Sequence, residues 1–128
     1  TAVEAGVIAD GVVSQSEAQA KAIWHLRFAV SEANRLAGPS VSHDVSVATA
    51  DVPALLAALP DRIHLNFQAQ TLFVGHVGDG NMHVIVLFSR DAFLTSGAYE
   101  DTAQKVNAIV YDVVTSFGGS ISAEHGIG

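Results

Sequence analysis

A stretch of nine residues, Gly75-His76-Val77-Gly78-Asp79-Gly80-Asn81-Met82-His83, leaves this chain few ways to fold. It lies between two apolar runs, Leu72 to Val74 and Val84 to Phe88. Apolar β-formers on both sides of an Asp-Gly pair predict a β-hairpin closed by a two-residue type I′ turn, because Asp-Gly tolerates the positive φ such a turn needs. With Asp79 and Gly80 central, Gly78 faces Asn81, Val77 faces Met82 and His76 faces His83. Directly opposed residues share a face, with Cβ atoms roughly 4.5–5.5 Å apart. Two imidazoles placed in that way are expected to converge on one ligand, a divalent metal. The competing reading is a glycine-rich hairpin whose histidines hydrogen-bond locally.

Zinc-type catalytic centres usually take three protein ligands and keep one position open. The sequence ends on Ser122-Ala123-Glu124-His125-Gly126-Ile127-Gly128, whose adjacent Glu-His pair offers a third ligand and a base. Cysteine is absent, so any metal rests on His, Asp and Glu, and the redox compartment stays open.

With 128 residues the chain is one domain by length, large enough for a real core. A hydrophobic content of 49% against 15% charged residues excludes a disordered chain and suggests that some surface is normally covered. The net charge of −7, without a basic stripe, argues against nucleic acid as a partner. No apolar run reaches the length of a membrane span and no basic signal start is visible, so a cytoplasmic location is expected, with an organelle or peripheral membrane association left open. The chain begins without Met and stops after a Gly-rich motif, as a fragment would.

Residues 1–13 read as the tail of a helix followed by a turn. From Ser16, which forms a capping box with Gln19, the pattern is helical to Ala37, with Ile23, Leu26, Val30, Ala33 and Ala37 as the buried stripe. Gly38-Pro39 ends it. Trp24, Arg27 and Ser31 form a neighbouring stripe. Val41, His43, Val45 and Val47 alternate with Ser42, Asp44 and Ser46, the signature of a strand with one polar face. A short helix from Pro53 to Leu59, capped by Asp51, follows, and residues 60–70 show no clear period. Strands at about 71–77 and 82–88 look apolar on both faces except at the turn-proximal histidines, and the sheet is expected to be covered on both. Residues 89–97 read as a loop or irregular helix start. A helix over Tyr99 to Phe117 then presents Val106, Ile109, Val110, Val113, Val114 and Phe117 on one face. Gly118-Gly119 stops it, and Ser120 to Ser122 read as a short strand. The order from residue 41 is β-α-β-β-α-β, so the expected class is α+β, a ferredoxin-like sheet with helices packed on it and an extra N-terminal helix. In that topology the last strand brings Glu124 near His76 and His83. His25, His43 and His64 read as structural or surface residues, Asp79 and Asn81 as turn residues.

The hairpin motif and the later Gly118-Gly119-Ser120-Ile121-Ser122-Ala123-Glu124-His125-Gly126-Ile127-Gly128 together resemble the C-terminal substrate domain of FAD-linked oxidases. Nearest in pattern are the D-lactate, D-2-hydroxyglutarate and glycolate dehydrogenases of the vanillyl-alcohol-oxidase-like flavoproteins. Ile23-Trp24-His25-Leu26-Arg27 and Ser42-His43-Asp44-Val45-Ser46-Val47 fit the same pattern in the same order, so the resemblance covers about residues 15–128. It implies that His76, His83 and Glu124 bind a divalent metal, zinc or manganese. It makes His125 the base that removes the substrate hydroxyl proton. Arg27, with the hydroxyl of Ser31 one turn on, would hold a substrate carboxylate. The implied reaction is oxidation of a D-2-hydroxy acid to the 2-oxo acid, with hydride passing to the flavin.

Two departures bear on the substrate. Family members acting on dicarboxylic 2-hydroxy acids carry Lys where Ser42 stands and Asn where Ile85 stands. Losing both polar partners favours a smaller or more apolar, lactate-like acid. The glycine-rich FAD-binding domain that normally precedes this one has no match here, so FAD would be held mainly by that domain of the same parent chain. The fragment alone is expected to be inactive, and its low charge content agrees with a surface facing the flavin domain. The electron acceptor and oligomeric state are not readable. A small non-enzymatic metal- or anion-binding module is the alternative, its Gly-rich loop presenting backbone N–H groups.

Overall fold

The computed structural model describes residues 3–95 and 98–124, with the side chains of residues 94 and 95 left aside. The chain divides into two compact units, Thr1–Ala33 and Asn34–Gly128.

In the first unit, residues 3–16 form turns and bends, not the expected helix tail. The helix α1, Glu17–Ala37, begins there and runs past the unit boundary. Its start is capped at Ser16 as the sequence predicts, Gln19 N–H donating to Ser16 Oγ at 3.2 Å, but Gln19 Oε1 accepts from Gln15 N–H at 2.7 Å, one residue before the N–H that a capping box uses. The expected burial of its apolar stripe is not realised. No residue of α1 is buried, and Trp24, Leu26 and Phe28 are 62%, 70% and 72% exposed. One helix joined to a turn segment has no second element in its own unit to bury a stripe against.

The second unit holds strand β1 (Ser40–Ser46), helix α2 (Val52–His64), strands β2 (Ala69–His76) and β3 (Asn81–Phe88), the short helix α3 (Arg90–Thr95) and helix α4 (Tyr99–Ser116). The sheet order is β1-β3-β2, antiparallel throughout. After α4 the chain turns at Gly118, whose φ of 67° is the left-handed conformation that ends helices, and returns to the outer edge of β1. It pairs there as a single bridge, Ser46 with Ser120, not as the three-residue strand expected. With the bridged segment at Ser120 standing in the place of a fourth strand beside β1, the strand order is that of a ferredoxin-like fold, here with a three-stranded sheet.

Helices α2 and α4 cover one face. Period-two alternation sends Val41, Val45, Met82, Val84, Val86 and Phe88 to that side, where they meet Leu55, Leu59 and Ile63 of α2 and Val106, Val110, Val113 and Val114 of α4. Helix α2 is longer than predicted because the Leu55, Leu59, Ile63 spacing continues the buried stripe past Pro60. Pro60 removes one helical hydrogen bond, but full burial of Ile63, worth about 1.5–3 kcal/mol, offsets much of that loss. Asp51 precedes α2 without a side-chain cap, since a 3₁₀ turn over Thr49–Asp51 leads into the helix.

Candidate active site

The site residues lie on the face turned away from α2 and α4, near the end where β2 and β3 join. Along β1 the buried residues alternate with Ser42, Asp44 and Ser46, as expected, and these three look out from the second face. On β3 the same alternation places Asn81, His83 and Ile85 there.

The hairpin itself departs from the predicted register. His76 pairs with Asn81, Gly75 with Met82 and Val74 with His83, a two-residue shift. The connection is a 3₁₀ turn over Val77–Asp79 closed by Gly80 in the left-handed conformation, φ 72°. The cause lies outside the hairpin. Val47 N–H donates to Gly80 O at 3.1 Å, Thr49 Oγ1 donates to Gly78 O at 3.3 Å, and a Cβ at Gly80 would collide with the Val47 carbonyl. The segment after β1 thus sets the loop, overriding the two-residue turn that Asp-Gly favours in isolation. A one-residue slip would have sent the histidines to opposite faces; a two-residue shift keeps them together. They are diagonal neighbours, a spacing of about 7–8 Å instead of direct opposition. The expected convergence of two opposed imidazoles is therefore corrected.

Glu124 is carried to the outer edge of β1, where its hydrogen-bond partners are Asp44 and Asn81. The Ser46–Ser120 bridge, with hydrogen bonds of 2.9 and 2.8 Å, and Ala123 N–H donating to Asp44 O at 3.1 Å lay the last described residues along β1. Glu124 N–H donates to Asp44 Oδ2 at 2.7 Å, and Glu124 Oε1 accepts from Asn81 Nδ2 at 3.5 Å. Asp44, opposite His83 in the register, holds Oδ1 3.4 Å from His83 Nδ1. Asn81, read from sequence as a turn residue, and Asp44 are thus both part of the cluster. For Asp44 the signal was its place on the polar side of the β1 alternation; its partners emerge only from strand pairing.

Imidazole nitrogen with carboxylate oxygen is a donor set that suits zinc or manganese. His76, His83 and Glu124 share one region of one sheet face. Among the described residues, however, no three His, Asp or Glu side chains are gathered closely enough to hold an ion. His125 lies outside the described residues. Arg27 and Ser31 sit one turn apart on α1, Arg27 partly exposed and Ser31 exposed. His25 and His64 are exposed and Asp79 belongs to the turn, as expected. His43 is a core residue: 6% exposed, its Nε2 2.8 Å from Asn107 Oδ1, its ring edge-on to Tyr111. Burial pushes its pKa below 6.5, against the opposing hydrogen bonds to Asn107 and the Val84 main chain.

The two positions that depart from the dicarboxylate pattern prove to be one cross-strand pair. Ser42 opposes Ile85, immediately beside the Asp44–His83 pair.

All 128 residues match the family described as FAD linked oxidases, C-terminal domain. The chain belongs to that family. Among similar proteins, the D-2-hydroxyglutarate dehydrogenase of Xanthomonas citri pv. viticola is 41% identical over 130 residues, covering 100% of this chain and 27% of the relative. That of Stutzerimonas stutzeri is 37% identical, covering 98% and 27%. The mitochondrial D-2-hydroxyglutarate dehydrogenase of Arabidopsis thaliana is 32% identical, covering 98% and 21%. The chain therefore spans about a quarter of the length of these relatives. Among the described residues no helix is long and apolar enough to cross a membrane.

Proposed function

We propose that this domain is the substrate side of an FAD-dependent dehydrogenase that oxidises a D-2-hydroxy acid to the 2-oxo acid. One observation carries the reading. Strands β1, β2 and β3 and the segment after α4 bring Asp44, His83, His76 and Glu124 to the same end of one sheet face. His76, His83 and Glu124 are the residues to hold a divalent metal, zinc or manganese. His125, next to Glu124 in the chain, takes the substrate hydroxyl proton, for which an imidazole is suited near neutral pH. Arg27 and Ser31, one turn apart on α1, receive a carboxylate through a guanidinium and a hydroxyl. When bound, the flavin supplies the two-electron acceptor and the metal supplies the charge that lowers the hydroxyl pKa. The companion FAD-binding domain belongs to the parent chain. The exposed Trp24, Leu26 and Phe28 support a surface that is covered in the whole protein.

For the substrate, the Ser42–Ile85 pair supports a small, lactate-like acid. A hydroxymethyl and a branched alkyl group beside His83 offer no cation and no amide to a second carboxylate. A second reading, 2-hydroxyglutarate, is favoured by what the relatives are named for. Purified full-length protein should be yellow and reduce a dye with D-2-hydroxy acids; a colourless protein without such activity points to the non-enzymatic binding module. In a panel of D-lactate, glycolate and D-2-hydroxyglutarate, the highest kcat/KM should fall to D-lactate, and a preference for the dicarboxylic acid decides for the second reading.

A further inference from the structure

We infer that the cleft between α4 and the end of the sheet where Ala69 pairs with Phe88 is a second ligand site, one that takes a small monocarboxylate with an apolar tail. The cleft has a volume of about 620 Å³ and is bounded by α4, α3 and the connection from α2 to β2. That volume falls within the range of small-molecule sites, about 300–1,000 Å³. Phe88 is five residues along β3 from His83, roughly 17 Å at the rise of a strand, and it faces the helices, so the cleft is separate from the candidate active site. Its floor is apolar. Phe88 is 1% exposed, and Phe67 stands edge-on to it with ring centroids 5.7 Å apart. Phe67 and Ile109 pack on the core and line the cleft half-buried, so a tail laid on them removes apolar surface from water on both sides. The rim is polar, with Gln68 and Lys105 both exposed. Among the described residues that line the cleft Lys105 alone is charged, and it forms no ion pair among them. In a chain of net charge −7, a cleft that carries a cation and no carboxylate favours an anion. One ammonium beside a neutral amide matches a single negative charge, both donating to carboxylate oxygens. A phosphate dianion would call for more donors than these two side chains supply.

Methyl NMR of the full-length protein, labelled at isoleucine, tests this with 4-phenylbutyrate as the probe. Ile109 reports on the cleft and Ile85, next to the Asp44–His83 pair, on the other face; Ile109→Val and Ile85→Val assign the two signals. Titration should shift the Ile109 signal saturably and leave that of Ile85 in place. Two compounds separate charge from tail. 4-Phenylbutan-1-ol keeps the tail without the charge and butyrate keeps the charge on a short tail; each should bind at least about fivefold more weakly. Lys105→Gln should weaken the probe by about fivefold, the upper end for an exposed ion pair. Ala108→Trp, which fills the cleft from an exposed position on α4, should abolish the shift, and Lys21→Gln on α1 should change nothing. An Ile109 signal that does not move in the wild type overturns the proposal, as it would if another segment of the full-length chain occupied the cleft. A response confined to Ile85, or equal binding of the acid and the alcohol, overturns it as well. The wild-type titrations with the three compounds decide alone should a variant fail to fold.

Discussion

His43 and His83 lie on neighbouring, paired strands, yet they live in different chemical worlds. His43 points toward α4, sealed between Asn107 and Tyr111 and pushed toward the neutral form by burial. His83 points to the other face, a third exposed, beside the Asp44 carboxylate. The same side chain is a core-filling polar group in one place and an available nitrogen donor in the other. Pleat parity decides which: Val84 pairs with His43, so its neighbour His83 must face the opposite way. One face of the sheet carries the packed core and the other carries the residues proposed for the chemistry.

That division can be broken most directly by paired substitutions. Phe88→Ala, on the helix-covered face, should cost about 3–5 kcal/mol in urea unfolding, since Phe88 is fully buried among Phe67 and Phe93. His83→Ala should cost no more than about 0.5–1 kcal/mol while weakening zinc binding. Comparable losses of stability at both positions would dissolve the distinction. A smaller effect sharpens it at the loop. Gly80→Ala should destabilise by more than about 1 kcal/mol, because of its φ of 72° and the Val47 carbonyl, whereas Gly78→Ala, with open space around the added methyl, should be milder by the same assay. The smallest effect is the pH dependence from His43. Its folded-state pKa lies below 6.5, so on acidification the unfolded chain binds the proton first. This contribution is neutral above 6.5, erodes stability as pH falls from there to the folded pKa, and levels off below it. His43→Phe should flatten that segment of the curve of urea midpoint against pH, and an unaltered slope would show that His43 titrates alike in both states.

Much of this was legible in the residues themselves. The β1 alternation put Val41, His43 and Val45 on one face and Ser42, Asp44 and Ser46 on the other, and the strands pair accordingly. The α4 stripe is the buried one, and the ferredoxin-like order follows from the succession of elements. The misreadings have particular causes. Helix α2 outlasts Pro60 because Ile63 is buried by a partner that no local pattern reveals. The α1 stripe is apolar but unburied, since amphipathicity specifies a face and not what covers it.

Periodicity and turn chemistry are local, and they determined on their own which side chains share a strand, a helix stripe or a sheet face. They placed His76 and His83 on one side, and that survived a two-residue change of register because the pleat repeats every two residues. Only the tertiary structure decided which residues stand opposite one another. The grip of Val47 and Thr49 on the hairpin loop set His76 against Asn81. The return of the chain to the edge of β1 delivered Glu124 to Asp44. Such pairings depend on contacts between segments far apart in the chain, where no short-range pattern carries the information.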